Sequence, residues 1–306
     1  MRVVKLPDGM HVFERGWLSS NCILFDDGNT SWLVDSGYST HAAQTLDLVA
    51  AKLGDRSLDF LVNTHLHSDH CGSNAALQTK YPDLATVIPP GQSDLVKIWD
   101  ADGLFYLPTG QLCPRFKFDQ ILKCGESIQL GLQKWEVHAA GGHDPHAVIF
   151  FEPCSRVLIS ADALWQSGFG VVFPELEGVE AFNEVASTLD LIERLNPSVV
   201  VPGHGAVFGY TTEVLATARQ KLDGFVKDPV KLARHGAKVL LKFKLLEKQK
   251  LSFSEFSKWA ANTPCLIQYQ RRFFDTSDFT AWIEQLCDEL VKAGVAKREG
   301  DNILNH

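Results

Sequence analysis

"NTHLHSDHCG", residues 63–72, places His65, His67, Asp69 and His70 within six consecutive positions. In an extended segment side chains two apart face the same way, so His65 and His67 can grip one ion together. Asp69 and His70 fall where "HCGSNAALQTK" can begin a helix, which turns their side chains toward a neighbouring position. A polar loop that happens to be rich in histidine is the plainer alternative. The rest of the chain decides between the two.

Further candidate ligands stand where other short apolar runs stop. "WEVHAAGG" runs into His143, "VLISA" into Asp162 and "VVVPG" into His204. Strand ends that open on one edge of a sheet collect such side chains from distant positions into one cleft. Seven nitrogen and oxygen ligands, one of them a carboxylate able to bridge, are enough for two divalent ions with room left for water. Imidazole and carboxylate suit Zn best, with Fe and Mn as alternatives.

The 306 residues are enough for one large domain, or for one domain and a smaller appendage. Hydrophobic residues make up 45% and charged ones 22%, an ordinary globular composition, and the longest apolar runs are strand-sized, which excludes a membrane span. "MRVVKLPDGMHVFERGW" lacks the apolar core and cleavage site of a signal peptide. Seven irregularly spaced cysteines suit a reducing compartment, so a cytoplasmic protein is expected. The net charge of -8 argues against non-specific nucleic-acid binding. Residues 1–210 carry 13 Lys and Arg against 25 Asp and Glu, which leaves 16 against 12 for residues 211–306.

"NCILFDDGNTSWLVDSG" reads as a hairpin around Asp26-Asp27-Gly28-Asn29. "THAAQTLDLVAAKLG" reads as a helix capped by Thr40 and stopped by Gly54. "LDFLVNT", "ATVIPP", "ESIQLG", "KWEVHAA", "AVIFFEP", "RVLISAD" and "PSVVVPG" are strand candidates, and "VEAFNEVASTLDLIERLN" is a helix before the last of them. Interleaved strands and amphipathic helices imply sheet packed under helices, an α/β (α+β) chain. From Thr211 the character is helical and rich in Lys and Arg. "SFSEFSKWAANT" is a capped helix, and "DTSDFTAWIEQLCDELVKAGVAKREGDNIL" a long helix ended by Gly294, then a hairpin around Gly300-Asp301. These features divide the chain into a mixed strand-and-helix domain, 1–210, and a small, mainly helical domain, 211–306.

"HLHSDH", "GGHDPH", "SADALW" and "PGHG" resemble, in order and spacing, the pattern of the metallo-β-lactamase superfamily over roughly residues 10–208. The resemblance implies a four-layer αβ/βα sandwich. It implies a first metal held by His65, His67 and His143 and a second by Asp69, His70 and His204, with Asp162 bridging. Asp35 in "WLVDSG" matches an aspartate that supports the site without binding metal. Because Asp162 is present, the set is similar to the glyoxalase II, lactonase and RNase Z type rather than to the true β-lactamases. The gap from Asp162 to His204 is too short for the extra domain of the cleavage-and-polyadenylation nucleases. The tail is similar to the winged-helix-like segment of the lactamase-β-like protein 2 group, a kind of fold that also serves as a lid or in a homodimer. His146 departs from the family, standing where a Gly is usual. It either approaches the site, from behind the ligands or facing the substrate, or is a surface-loop histidine.

This resemblance implies hydrolysis at a metal-bridging hydroxide, with Asp69 orienting it and accepting its proton. Cys71 is read as packing. Substrate selection falls to loops: "VKIWDADGLFYLPTGQLCPRFKF" (96–118), in which Trp99, Phe105 and Tyr106 either wall an acyl pocket or tuck into the core, and "WQSGFGVVFPELEG" (165–178). His11, His41, His138, His235 and His306 are expected to be structural or solvent-facing. The favoured function is hydrolysis of a small-molecule thioester, lactone or carboxylic ester. A metal-dependent ribonuclease or phosphodiesterase is the runner-up, opposed by the acidic first domain. A non-enzymatic nucleic-acid- or protein-binding role of the tail, and a mononuclear iron dioxygenase, are opposed by the full ligand set.

Overall fold

Strands buried on both faces build the centre of the molecule. In "VIFFE" (148–152), Val148 and Phe150 pack to one side, Ile149 and Phe151 to the other, and all four are buried. "VLISA" and "VVVP" behave alike, with Val157, Ile159, Val199 and Val201 inward and Leu158 and Val200 outward. Period-two side chains that are apolar on both faces require cover on both sides.

The computed structural model describes residues 5–274 and 278–306. Met1–Val4, at the head of the N-terminal segment, and Asp275–Ser277, at the head of the expected last helix, lie outside the described residues. The first sheet orders β1 (Met10–Phe13), β2 (Cys22–Asp26), β3 (Ser31–Val34), β4 (Phe60–Val62), β5 (Ala85–Ile88) and β6 (Gln120–Ile121) side by side in sequence. Its first three strands are antiparallel, and β3 to β6 run parallel. The second sheet runs from β7 (Ser127–Leu130) through β8 (Gln133–Ala139), β9 (Val148–Glu152), β10 (Val157–Ala161) and β11 (Val199–Pro202) to β12 (Phe208–Gly209). Only its β10–β11 pair is parallel.

The inner faces of the two sheets meet in one apolar cluster that includes Ile23, Phe25, Val34 and Val62 from the first and Trp135, Phe150 and Ile159 from the second. Helices cover the outer faces: α1 (Ala42–Leu53), α2 (Ser68–Cys71) and α3 (Asn74–Lys80) belong to the first sheet's half of the chain. Val49 and Leu53 of α1 and Leu77 of α3 pack on Leu33 and Leu61. Two short helices, α4 (Ser93–Ile98) and α5 (Tyr106–Thr109), follow, so the 96–118 stretch is not the structureless connection its sequence suggests. Then α6 (Phe173–Glu177) and α7 (Phe182–Leu195) cover the second sheet, where Val185, Leu189 and Ile192 of α7 meet Ile149, Leu158 and Val200. The result is the four-layer αβ/βα arrangement.

The remaining chain forms α8 (Thr212–Lys227), α9 (Pro229–Lys248), α10 (Phe253–Ala260), α11 (Pro264–Phe273) and α12 (Phe279–Lys292). The hairpin around Gly300-Asp301 pairs β14 (Ala296–Glu299) with β15 (Asn302–Asn305), and β13 (Lys250–Ser252) adds a third strand at β15 that the sequence does not announce. Ser252 and Glu255 close a reciprocal capping box on α10. The apolar cluster outside the second sheet runs from Ala140 to Ile303, so packing is continuous across residue 210. Among the described residues no helix is long and apolar enough to cross a membrane.

One local expectation fails. Thr40 does not cap α1; the chain enters through a 3-10 turn, Ser39–His41, and His41 at the boundary makes no side-chain cap bond. Gly54 does end the helix, at φ 61°.

Phe150 is fully buried between the sheets. Phe150→Ala should lower unfolding free energy by about 3–5 kcal/mol in urea titration, whereas Leu132→Ala, at a position 65% exposed, should change it by less than about 0.5 kcal/mol. A loss at Phe150 no larger than at Leu132 would contradict the sandwich core.

Candidate metal centre

The ends of β4, β8, β10 and β11 deliver the candidate ligands, and they come from two sheets, not from one sheet edge. His65 to His70 follow β4 of the first sheet; His143, Asp162 and His204 follow β8, β10 and β11 of the second. Asn21 ties the two ends together. Its side-chain amide donates to the carbonyls of Pro202 (2.9 Å) and Gly205 (2.7 Å), and its backbone N–H donates to Gly203 (2.6 Å). His65 lies in a bend just past β4, and His67, in extended backbone, is the N-cap of α2, which turns Asp69 and His70 onto the next position.

Ligand atoms of His65, His67 and His143 lie within 4.8 Å of one another, as do those of Asp69, His70 and His204, and a third group joins His65 and His70 to Asp162. Asp162 stands between the two triads, Oδ2 3.3 Å from His143 Nε2 and Oδ1 3.5 Å from His70 Nε2. Asp69 Oδ2 is 3.1 Å from His204 Nε2. His67 Nδ1 and His143 Nε2 face each other at 2.8 Å, which two lone pairs tolerate only with a proton or a cation between them. Nε2 of His65 and of His70 are buried and have no hydrogen-bond partner among the described residues, although buried polar atoms are as a rule satisfied. Together these atoms fit a pair of divalent cations in hard-to-borderline N/O coordination.

The groups behind the cluster set the rings. Asp35 accepts from Thr64 N (2.8 Å), Thr64 Oγ1 (2.7 Å) and His70 Nδ1 (2.7 Å). With its hydroxyl hydrogen given to Asp35, Thr64 Oγ1 accepts from His65 Nδ1 at 3.1 Å. His143 Nδ1 donates to Val171 O at 2.5 Å. In the neutral ring each of these bonds leaves the opposite nitrogen, Nε2, as the unprotonated one turned toward the centre. Asp35 (φ 57°) and Ala161 (φ 45°) adopt left-handed backbone beside the cluster, at a cost of about 1–3 kcal/mol each. Glycine is required at 203, where a Cβ would collide with Asp162 Oδ1, and at 170, where it would lie 2.5 Å from His143 Nδ1.

Burial dominates the titration of the first triad. It holds His65 well below the ordinary imidazole range and brings His67 and His143 to about 4. For His70 burial also opposes the charge, but the carboxylates of Asp35, Asp162 and Asp69 outweigh it and hold the ring well above 6.5. Burial would raise Asp69 and Asp162; the imidazoles of His70 and His204 overcome it and hold both carboxyls low.

A cleft of about 310 Å³ opens over His67, Asp69, His143, Asp162 and His204. Phe105, Phe173 and Trp17 wall it, and from the C-terminal helices come Lys221, His235, Val239 and Phe243. Phe105 and Tyr106 therefore reach the cleft, although the Tyr106 hydroxyl is spent on Leu66 O at 2.9 Å. Trp99 does not line it: that ring packs on Tyr106 and Phe116 in a separate core. His146 sits one pocket away, its ring against Gly91, in a space of about 230 Å³ that shares His67, His143 and Phe105 with the cleft. Cys71 is buried, with Sγ 3.4 Å from Leu66 O and 3.2 Å from the Tyr106 hydroxyl.

Several residues were invisible to motif reading. His235, expected to be structural or solvent-facing, lines the cleft and stacks on Phe225. Asp144 Oδ2 approaches His67 Nε2 at 3.6 Å, and its only sequence signal is its place after His143. Trp17 and Lys221 carry no ligand spacing at all, whereas Trp165 opens the 165–178 stretch expected as a wall and lines the cleft with Phe173 of the same stretch.

A family model described as the Metallo-beta-lactamase superfamily matches residues 15–204. Among curated proteins, a hydroxyacylglutathione hydrolase of Brucella anthropi is 28% identical over 152 residues, 50% of this chain and 46% of that protein. Another of that name from Thermosynechococcus vestitus is 28% identical over 127 residues, covering 41% and 43%. The match spans less than half the length of these relatives. A solved metallo-beta-lactamase family protein from Thermus thermophilus superposes with TM-score 0.56 at 18% identity, over 99% of this chain and 100% of that one. A beta-lactamase domain protein from Burkholderia ambifaria gives 0.57 at 18% identity, over 99% and 94%. These structural likenesses are likenesses of fold.

Between pH about 6.5 and about 4 the unfolded chain binds protons that the buried His67 and His143 refuse. Stability of chelator-treated protein should therefore fall as pH drops through that window. Urea midpoints at several pH values would show it, with a shallower fall for His67→Gln; a flat profile would refute the buried neutral state.

Proposed function

This chain belongs to the metallo-β-lactamase superfamily, and on that premise we propose a metal-dependent hydrolase acting on a small thioester, lactone or other carboxylic ester. The observation that carries the reading is the ligand cluster itself: buried, partnerless ring nitrogens converging with two carboxylates at the floor of an apolar-walled cleft. His65, His67 and His143 would hold one ion and Asp69, His70 and His204 the other, with Asp162 shared. Zn is the metal this donor set favours. Bound divalent ions supply acidification of a water at neutral pH and positive charge for the oxygen on which charge develops.

The protein's own groups do the rest. Asp69, held ionised by its imidazole neighbours and only 14% exposed at the cleft floor, is placed to orient a water and take its proton. Asp35 keeps His70, and through Thr64 also His65, in the tautomer that presents Nε2 inward. Phe105, Phe173 and Val239 give the acyl part an apolar wall, excluding competing water.

Lys221 sets the expected charge of the substrate. Its ammonium makes one bond, to Phe169 O at 2.7 Å, lies over the rings of Trp165, Phe169 and Phe225, and forms no ion pair among the described residues. A desolvated cation lining the cleft without a carboxylate partner suits an anionic end of the substrate. The curated relatives named as hydroxyacylglutathione hydrolases are the reason to test thioesters first.

Metal analysis of the purified protein should find two divalent ions per chain, and a hydrolysis screen over thioesters, lactones and phosphodiesters should single out the carboxylic esters. Asp69→Ala should lower kcat by at least about 100-fold; full activity in that variant, or preference for phosphodiesters, would overturn the reading. Burial brings the Lys221 ammonium down to about 8, against the opposing pull of Asp162, with His235 of α9 also facing it. KM for an anionic ester should therefore climb as pH rises through about 8. Lys221→Met should show a raised KM at pH 7 and no such climb.

A further inference from the structure

Four of the five candidate imidazoles have a polar group at the nitrogen turned away from the centre. His65 has Thr64, His70 has Asp35, His143 has Val171 O, and His67 has Asp144 at 3.6 Å. His204 differs: its Nδ1 is buried and has no hydrogen-bond partner among the described residues. A ligand imidazole normally owes its orientation to that outer bond. Here two indoles pack on the ring instead. Trp17 stacks flat on the His204 ring (centroids 5.5 Å apart, planes 10°), and Trp165 meets it edge-on (5.5 Å, 79°).

Trp165 also reaches the shared carboxylate. Its Nε1 donates to Asp162 Oδ1 at 3.2 Å, the same oxygen that lies 3.5 Å from His70 Nε2 and 3.9 Å from His204 Nε2. The indole itself is fixed. Trp165 and Gly168 form an isolated bridge, Trp165 N donating to Gly168 O at 2.6 Å, and Trp17 packs on the Trp165 ring at 5.3 Å. Among the candidate ligands the pair touches His204 and Asp162 Oδ1, the oxygen nearest His70 and His204.

We propose that Trp17 and Trp165 form an indole clamp that orients His204 and Asp162 and so sets the affinity of one ion of the pair, the one at Asp69, His70 and His204. Trp165 is a positioning residue acting through its N–H; Trp17 acts through ring contact alone. The inference rests on the ligand assignment proposed above.

The test is zinc titration of metal-free protein in competition with a chromophoric chelator, resolving the two ions. Trp165→Phe keeps a ring and removes the N–H. It should bind one Zn²⁺ as the wild type does and the other about 10–100-fold more weakly. Trp17→Ala should weaken the same ion; with Trp17 56% exposed, this variant is not expected to disturb folding, which urea midpoints of the metal-free proteins would verify. Two ions held with wild-type affinity in both variants, or both ions weakened in parallel, would overturn the clamp. A wild-type chain that takes up no second ion would instead overturn the ligand assignment, and the clamp with it.

Discussion

The hydrogen bonds to one buried carboxylate organise the centre. Asp35 receives three of them, from Thr64 N, Thr64 Oγ1 and His70 Nδ1. One acid thereby aligns the end of β4, the tautomer of His70 and, through the threonine hydroxyl, the tautomer of His65. Removing a partner from a buried, charged network leaves uncompensated polar atoms on several residues at once. The left-handed backbone at Asp35 is the strain accepted to aim this carboxylate across the strand end.

Much of the candidate ligand cluster was legible because it depends on short-range geometry. The turn into the first helix after β4 dictates how His67, Asp69 and His70 present themselves, and apolar runs mark the strands that end before His143, Asp162 and His204. What was not legible depends on contacts remote in sequence. Nothing local says that β4 and β10 belong to different sheets, since strands buried on both faces look alike wherever they lie. The Asn21 latch joins positions 181 and 184 residues apart. His235 and Lys221 sit on ordinary amphipathic helices, and only docking of those helices turns them toward the cleft. Trp99 and Phe105 look equivalent in sequence, yet one turns into a core beneath the loop and the other faces the cleft.

The polar floor and the apolar walls of the cleft have separate origins. The floor is built from strand ends, where backbone hydrogen bonding on both sides holds positions closely. The walls come from the connections after β1, β5 and β10 and from α8 and α9. Changes in the walls alter shape and charge without touching the ligand-bearing strands, which is how one sandwich serves many substrates.

Chain order adds a consequence. The last candidate ligand is His204, while Lys221, His235, Val239 and Phe243 all follow it. During synthesis from the N-terminus, a nascent chain has every candidate ligand before it has the far wall of its cleft. The polar floor is completed first, open to solvent, and the last helices to dock add the far wall.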